Sequence, residues 1–160
     1  MFKADAEGVY ARAYASPARR GFAYVMLVAL GLMLLLLVFR EPPSVPLAFA
    51  MGAIGVLSLV LAERLRRATR LEIRLTDAGL SDSSGAVLVA MDDIVAVERG
   101  SFAFKPSNGF LIVTRTSAPR SWAPGLWWRL GKRVGVGGVL PSGQAKFMAE
   151  AIAMTIAGRG

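Results

Sequence analysis

Two stretches of the chain carry no polar face at all. Residues 22–39 read FAYVMLVALGLMLLLLVF and residues 45–62 read VPLAFAMGAIGVLSLVLA, both without a charge. At the rise of an α-helix each covers roughly 27 Å, close to the ~30 Å hydrocarbon core of a bilayer. A helix buried in a soluble core normally keeps some polar positions over such a length. Between the runs stand only Arg40, Glu41, Pro42, Pro43 and Ser44, and a double proline cannot continue a helix. The pattern predicts a transmembrane helical hairpin over residues 22–63, with spans at 22–39 and 45–62.

Beyond Arg70 the period changes to two. Leu71, Ile73 and Leu75 alternate with Glu72 and Arg74, the signature of a half-buried strand. Turns at residues 76–79 and 83–85 separate it from short strands at 80–82 and 86–90, and residues 94–98 follow Met91, Asp92 and Asp93. Phe102 and Phe104 share one face of a further strand. Asn108-Gly109 then marks a hairpin loop, because Asn-Gly tolerates the positive φ such loops need. Residues 110–116 pair back, and a loop containing Pro119 and Pro124 leads to Trp127 and Trp128. Ser142 is placed to cap a final helix, in which Ala145, Met148, Ala149, Ile152 and Ile156 form one apolar stripe ended by Gly158. About seven short strands and a closing helix describe a small, bent antiparallel sheet over residues 70–160.

Residues 1–21 are alanine-rich, with Phe2, Val9, Tyr10 and Tyr14 near helical spacing. They fit a short interfacial helix or a frayed cytoplasmic tail.

Charge orients the hairpin. Arg19 and Arg20 precede the first span, and Arg64, Arg66, Arg67 and Arg70 follow the second, while the connecting loop is neutral. Positive residues stay on the cytoplasmic side, so both termini are expected there. Arg19-Arg20-Gly21-Phe22 also resembles a twin-arginine export signal, and Ala48-Phe49-Ala50 a signal-peptidase site. The first run is long and leucine-rich, however, and cleavage there would cut a second span.

The net charge of +8 is unevenly distributed. Residues 71–100 are acidic and residues 101–160 basic, with Lys105, Arg115, Arg120, Arg129, Lys132, Arg133, Lys146 and Arg159 against Glu150 alone. Such asymmetry points to an anionic partner, with a membrane surface or nucleic acid the first candidates. No recognition helix is evident, and a tryptophan-rich segment beside an anchor favours lipid over nucleic acid. The chain has no cysteine and no histidine. That excludes disulfides, Cys/His zinc sites and imidazole-based catalysis.

Two spans, a strand at residues 70–75, a Gly79-Leu80 turn, and Met91-Asp92-Asp93-Ile94-Val95-Ala96-Val97 resemble bacterial pleckstrin-homology-like membrane proteins. The resemblance covers roughly the last 90 residues plus the anchor. It implies an α+β membrane protein: a transmembrane hairpin, then a partly open PH-like antiparallel barrel capped by a carboxy-terminal helix. It also implies a multi-pass protein of the bacterial cytoplasmic membrane, without enzymatic activity or cofactor, acting as an accessory protein that docks on lipid or on a partner. A subunit or assembly factor of a larger membrane complex is the main alternative, and a membrane-anchored enzyme a third. Gly131 to Gly138 and the proline-containing loop depart from the family pattern.

Several residue groups carry the functional expectations. Trp122, Trp127, Trp128, Arg129, Lys132 and Arg133 form a candidate surface for anionic headgroups or a membrane protein. Tryptophan favours the membrane–water interface, and each cation near anionic lipid contributes on the order of 1 kcal/mol. The bland alternative has one or two of the tryptophans filling the core. Gly31, Ala48, Gly52 and Gly55 would let helix backbones approach closely, within the hairpin or against another membrane protein or second copy. Residues 135–138 read Gly-Val-Gly-Gly, better explained as a bulged strand than as a phosphate loop. Asp92, Asp93 and Glu98 read as a solvated turn rather than paired catalytic carboxylates.

Overall fold

The computed structural model describes residues 5–41, 43–99 and 106–158. The apolar runs lie in helix α1 (Pro17–Arg40) and helix α2 (Val45–Ala68), each with a proline in its first turn, where a missing N–H leaves nothing unmade. Both helices are longer than their uncharged stretches. α1 begins early and takes in Arg19 and Arg20, and α2 runs on through Arg64, Arg66 and Arg67. They are long and apolar enough to cross a membrane, and only 6% and 17% of their apolar windows is buried within the protein.

The helices meet where side chains are smallest. A Cβ added at Gly31 would lie 2.8 Å from the Leu59 side chain and 2.9 Å from the Gly55 carbonyl oxygen. Gly55 is similarly covered by Leu35 and by the Gly31 carbonyl, whereas Gly52 faces open space and Ala48 is half-buried. The hairpin's own crossing therefore uses Gly31 and Gly55 and leaves Gly52 unused.

The remaining elements form two antiparallel sheets and a helix. Strands β1 (Val9–Tyr14), β2 (Glu72–Thr76), β3 (Gly79–Asp82) and β4 (Val87–Ala90) make one sheet in that order. Strands β5 (Ile94–Glu98), β6 (Phe110–Ala123) and β7 (Trp127–Val136) make the other. Among the described residues the sheets do not close into a hydrogen-bonded barrel. Helix α3 (Ser142–Ala157) packs on β1 and β5. Its apolar stripe is buried as expected at Ala145, Met148, Ala149 and Ile152, with Ile156 half-buried. The strand expected at Phe102 and Phe104 lies outside the described residues.

The amino-terminal segment departs most from expectation. Residues 9–14 form an edge strand, not an interfacial helix or a tail, and pair antiparallel with β2 from Val9↔Thr76 to Tyr14↔Glu72. Val9, Ala11, Ala13 and Ala15 turn into the core while Tyr10, Arg12 and Tyr14 turn outward. Alanine is a poor strand former, so propensity hid the alternation. The small residues are used because α3 lies directly over β1, where the backbone N–H of Tyr14 also donates to Gln144 Oε1 at 3.1 Å. The helical hairpin is thus an insertion between two hydrogen-bonded neighbours of one sheet.

Two local expectations are corrected. Pro119 lies inside strand β6 rather than in a loop, where register slips between Ala118 and Ser121, a site at which a missing donor costs little. Ser142 does not cap α3: Pro141 takes the N-cap position and no side-chain cap forms.

Candidate functional site at the helix–sheet junction

The junction is built from the first turn of α1, the last turns of α2 and the β6–β7 hairpin. Short links join helices to strands, with Ser16 N–H donating to the Val139 carbonyl at 2.9 Å and Leu71 N–H to the Ala68 carbonyl at 3.0 Å. Leu65 and Thr69 of the α2 exit press on the turn at Gly125, whose φ of +78° needs glycine; an added Cβ would be 2.7 Å from Leu65. The Thr69 hydroxyl donates back to the Leu65 carbonyl at 2.7 Å, so this buried polar group is satisfied inside the seam. The β6–β7 hairpin tip is therefore held against the end of α2.

That contact sorts the tryptophans. Trp122 and Trp128 are cross-strand partners, as are Ala123 and Trp127, so neighbouring pairs face opposite sides of the hairpin. Trp127 is buried in the core at 5% exposure, with its indole N–H unpartnered. Trp122 stands outward at 53% exposure. Trp128 lies half-buried over Gly135, where an added Cβ would come within 2.3 Å of its indole Cε2. The tryptophans thus divide into one core residue and a cross-strand pair on the opposite face of the hairpin.

The cations divide as well. Arg129 turns back across the gap between the sheets and donates from Nη1 to the Leu88 carbonyl of β4 at 2.8 Å. It pins β7 to β4 in place of a strand–strand ladder, and its buried Nε has no partner among the described residues. Lys132 and Arg133 are exposed on the same strand, past the bend at Gly131, whose φ is +59°.

The arginines flanking the helices are structural as well as charged. Arg19 Nη1 donates to the Leu140 carbonyl at 3.1 Å and Arg20 Nη1 to the Thr69 carbonyl at 3.5 Å, which ties α1 to the sheet domain and to the end of α2. Glu63 accepts from Arg66 at 2.7 Å and from Arg67 at 2.6 Å. Arg64 and Arg70 are exposed. Sequence reading grouped these arginines by sign alone. The signal it missed is spacing: Arg20 and Tyr24 stand one turn apart on α1, and Arg70 follows Arg66 just past the end of α2, where its N–H donates to the Arg67 carbonyl at 3.3 Å.

The other candidates resolve into scaffold. Gly137 N–H donates to the Leu126 carbonyl at 2.8 Å and Gly138 N–H to the Ser107 carbonyl at 2.7 Å. The glycine-rich segment thus spends these donors on neighbouring loops, and Gly135 and Val136 belong to strand β7. Asp93 accepts from the Thr116 N–H at 2.8 Å and from its hydroxyl at 2.7 Å, which holds its carboxyl below the ordinary aspartate range and ties the 3-10 turn Met91–Asp93 to β6. Among the described residues no group of His, Cys, Asp and Glu is arranged to hold a metal. Comparison with family models, curated proteins and solved structures returned no match to this chain.

Proposed function

We propose that this chain is an integral membrane protein whose α1–α2 hairpin holds a PH-like sheet domain against the bilayer surface. The observation that carries this reading is the exposure of the helices. Phe39 and Phe49 are each 81% exposed, and most of the apolar surface of both helices is left uncovered by the protein. A soluble core helix would bury that surface, and a patch of this extent in water is an association site.

Three further features favour the arrangement. β1 and β2 pair with each other from either side of the hairpin, so both hairpin ends must lie on one face of any membrane it crosses. With Arg19, Arg20, Arg64, Arg66, Arg67 and Arg70 at those ends, that face is the cytoplasmic one of a bacterial inner membrane. Cleavage after Ala50 would remove β1 and its core residues from the sheet, which argues against a cleaved export signal. Two antiparallel sheets and a carboxy-terminal helix support the PH-like reading, with the hairpin inserted after the first strand instead of preceding the domain.

On this reading the protein is a non-enzymatic accessory protein. Trp122 and Trp128 stand three residues to either side of Gly125, the turn that meets Leu65 and Thr69 at the end of α2, and with α2 in the bilayer this would set them near headgroup depth. Tryptophan is stable there because its ring body is apolar and its N–H polar. Lys132 and Arg133 would add attraction to anionic lipid, while Arg129 is committed to Leu88.

The test uses the full chain reconstituted in phosphatidylglycerol vesicles. Trp122 and Trp128 are expected to be quenched by lipids labelled near the headgroup, and W122F/W128F should abolish most of that quenching. Release of the wild-type chain by alkaline carbonate would overturn the anchor, and quenching carried by Trp127 alone would overturn the surface.

A further inference from the structure

Where α1 enters and α2 leaves, Arg20, Gly21, Tyr24, Arg66 and Arg70 line a cavity of about 200 Å³. Arg20, Gly21 and Tyr24 come from the start of α1, Arg66 from the last turn of α2, and Arg70 from just past its end. No carboxylate lines it. Glu63 lies outside the lining and takes Nε and Nη2 of Arg66, together with Nε of Arg67. Arg20 spends one N–H on the Thr69 carbonyl, and neither it nor Arg70 has a carboxylate partner among the described residues. Gly21 lines the cavity, and an added Cβ there would meet no atom within 4 Å, so a side chain can be introduced at this position without displacing a neighbour.

We infer that this cavity binds a single phosphate group, held by Arg20, Arg66 and Arg70 with the Tyr24 hydroxyl donating to one of its oxygens. Arginine is suited to the task because its planar fork matches phosphate oxygens and stays charged at any relevant pH. The volume is several times the ~30 Å³ of a water molecule and below the ~300 Å³ at which pockets for larger organic ligands begin. A phosphate with a short linker fits that interval. Basic pockets between spanning helices on the cytoplasmic side bind lipid phosphates in this manner. The phosphodiester of an anionic lipid and free phosphate share the chemistry. The lipid source rests on the membrane placement proposed above, while the phosphate site itself does not.

The experiment is native mass spectrometry of the full chain in detergent micelles doped with phosphatidylglycerol or phosphatidylcholine, alongside calorimetric titration with inorganic phosphate. The wild type is expected to retain one phosphatidylglycerol in preference to phosphatidylcholine. The double variant R20Q/R70Q should weaken retention about thirtyfold. The variant G21L keeps every charge, gains helix propensity and adds bulk to the cavity lining, and should weaken retention comparably. R115Q/R120Q, on the exposed part of β6, should leave it unchanged. Binding of inorganic phosphate without lipid retention, lost in G21L, would assign the site to free phosphate. Retention unchanged in G21L, or absence of both ligands from the wild type, would overturn the site. Wild-type chain released by carbonate yet still binding phosphate would overturn the membrane placement and the lipid source alone.

Discussion

The hairpin and the sheet domain are built from similarly apolar residues and dispose of them in opposite ways. Within the apolar spans the buried residues are Gly31, Gly55, Ser58 and Ala62, and most of the large side chains point outward. In the sheet domain the large side chains Phe110, Leu111, Ile112, Leu126, Leu140 and Met148 are fully buried and polar residues face out. On the membrane placement proposed above, the difference is the solvent that each meets. Where lipid surrounds a helix, burying leucine gains nothing and close backbone contact decides the packing. Where water does, burial of each large apolar side chain contributes roughly 1.5–3 kcal/mol and dictates which face turns inward.

That contrast can be broken from either side. The largest effect is expected from Ala13→Glu. Ala13 is fully buried between β2 and α3, so an unpaired charge there should cost several kcal/mol and unfold the sheet domain while the hairpin stays helical and membrane-bound. Loss of the near-ultraviolet circular dichroism signal, with far-ultraviolet helicity and carbonate resistance retained, is the expected result. An intermediate effect is expected from Gly31→Leu, whose side chain would collide with Leu59 and the Gly55 carbonyl, at about 1–3 kcal/mol. Gly52→Leu, facing open space, should be neutral. Unfolding in mixed detergent micelles should separate the two, with tryptophan emission from the sheet domain unchanged in both.

The smallest effect concerns pH. The Thr116 hydroxyl and N–H hold Asp93 below the ordinary 3.8 of an aspartate, so its contribution to stability is fully present above that value. It is lost as pH falls through the lowered folded-state value. Acid titration of the sheet domain should show this loss at the bottom of the carboxylate range, and Asp93→Asn should remove that part of the pH dependence. Because Asp93 is at the surface, the change should be modest beside the first two.

Local signals were legible wherever a residue's neighbours in sequence also set its environment. The spans, the Leu71–Leu75 alternation, the α3 stripe and the positive φ of Asn108 (55°) were readable in this way. Strand β1 was not, since its alternation runs through alanines that propensity assigns to helix and its partner lies beyond both spans. Pro119 misled because proline marks a loop in sequence, while a register slip in a long bent hairpin accommodates it without loss. The tryptophan group was visible as a cluster. Its division into a buried Trp127 and an outward Trp122–Trp128 pair depends on the parity of the β6–β7 register, which two irregularities reset.

Sequence alone determined that this chain has two uncharged stretches of membrane-crossing length, a period-two domain after them and arginines at their shared end. Those properties are set by side-chain transfer energies and repeat periods, which are local. Only the tertiary structure decided that the hairpin interrupts a sheet, that Arg129 bridges β7 to β4, and that Arg20, Tyr24, Arg66 and Arg70 surround one cavity. Each of these joins residues distant in the chain, and such meetings follow from strand register and helix crossing, which no single stretch of sequence encodes.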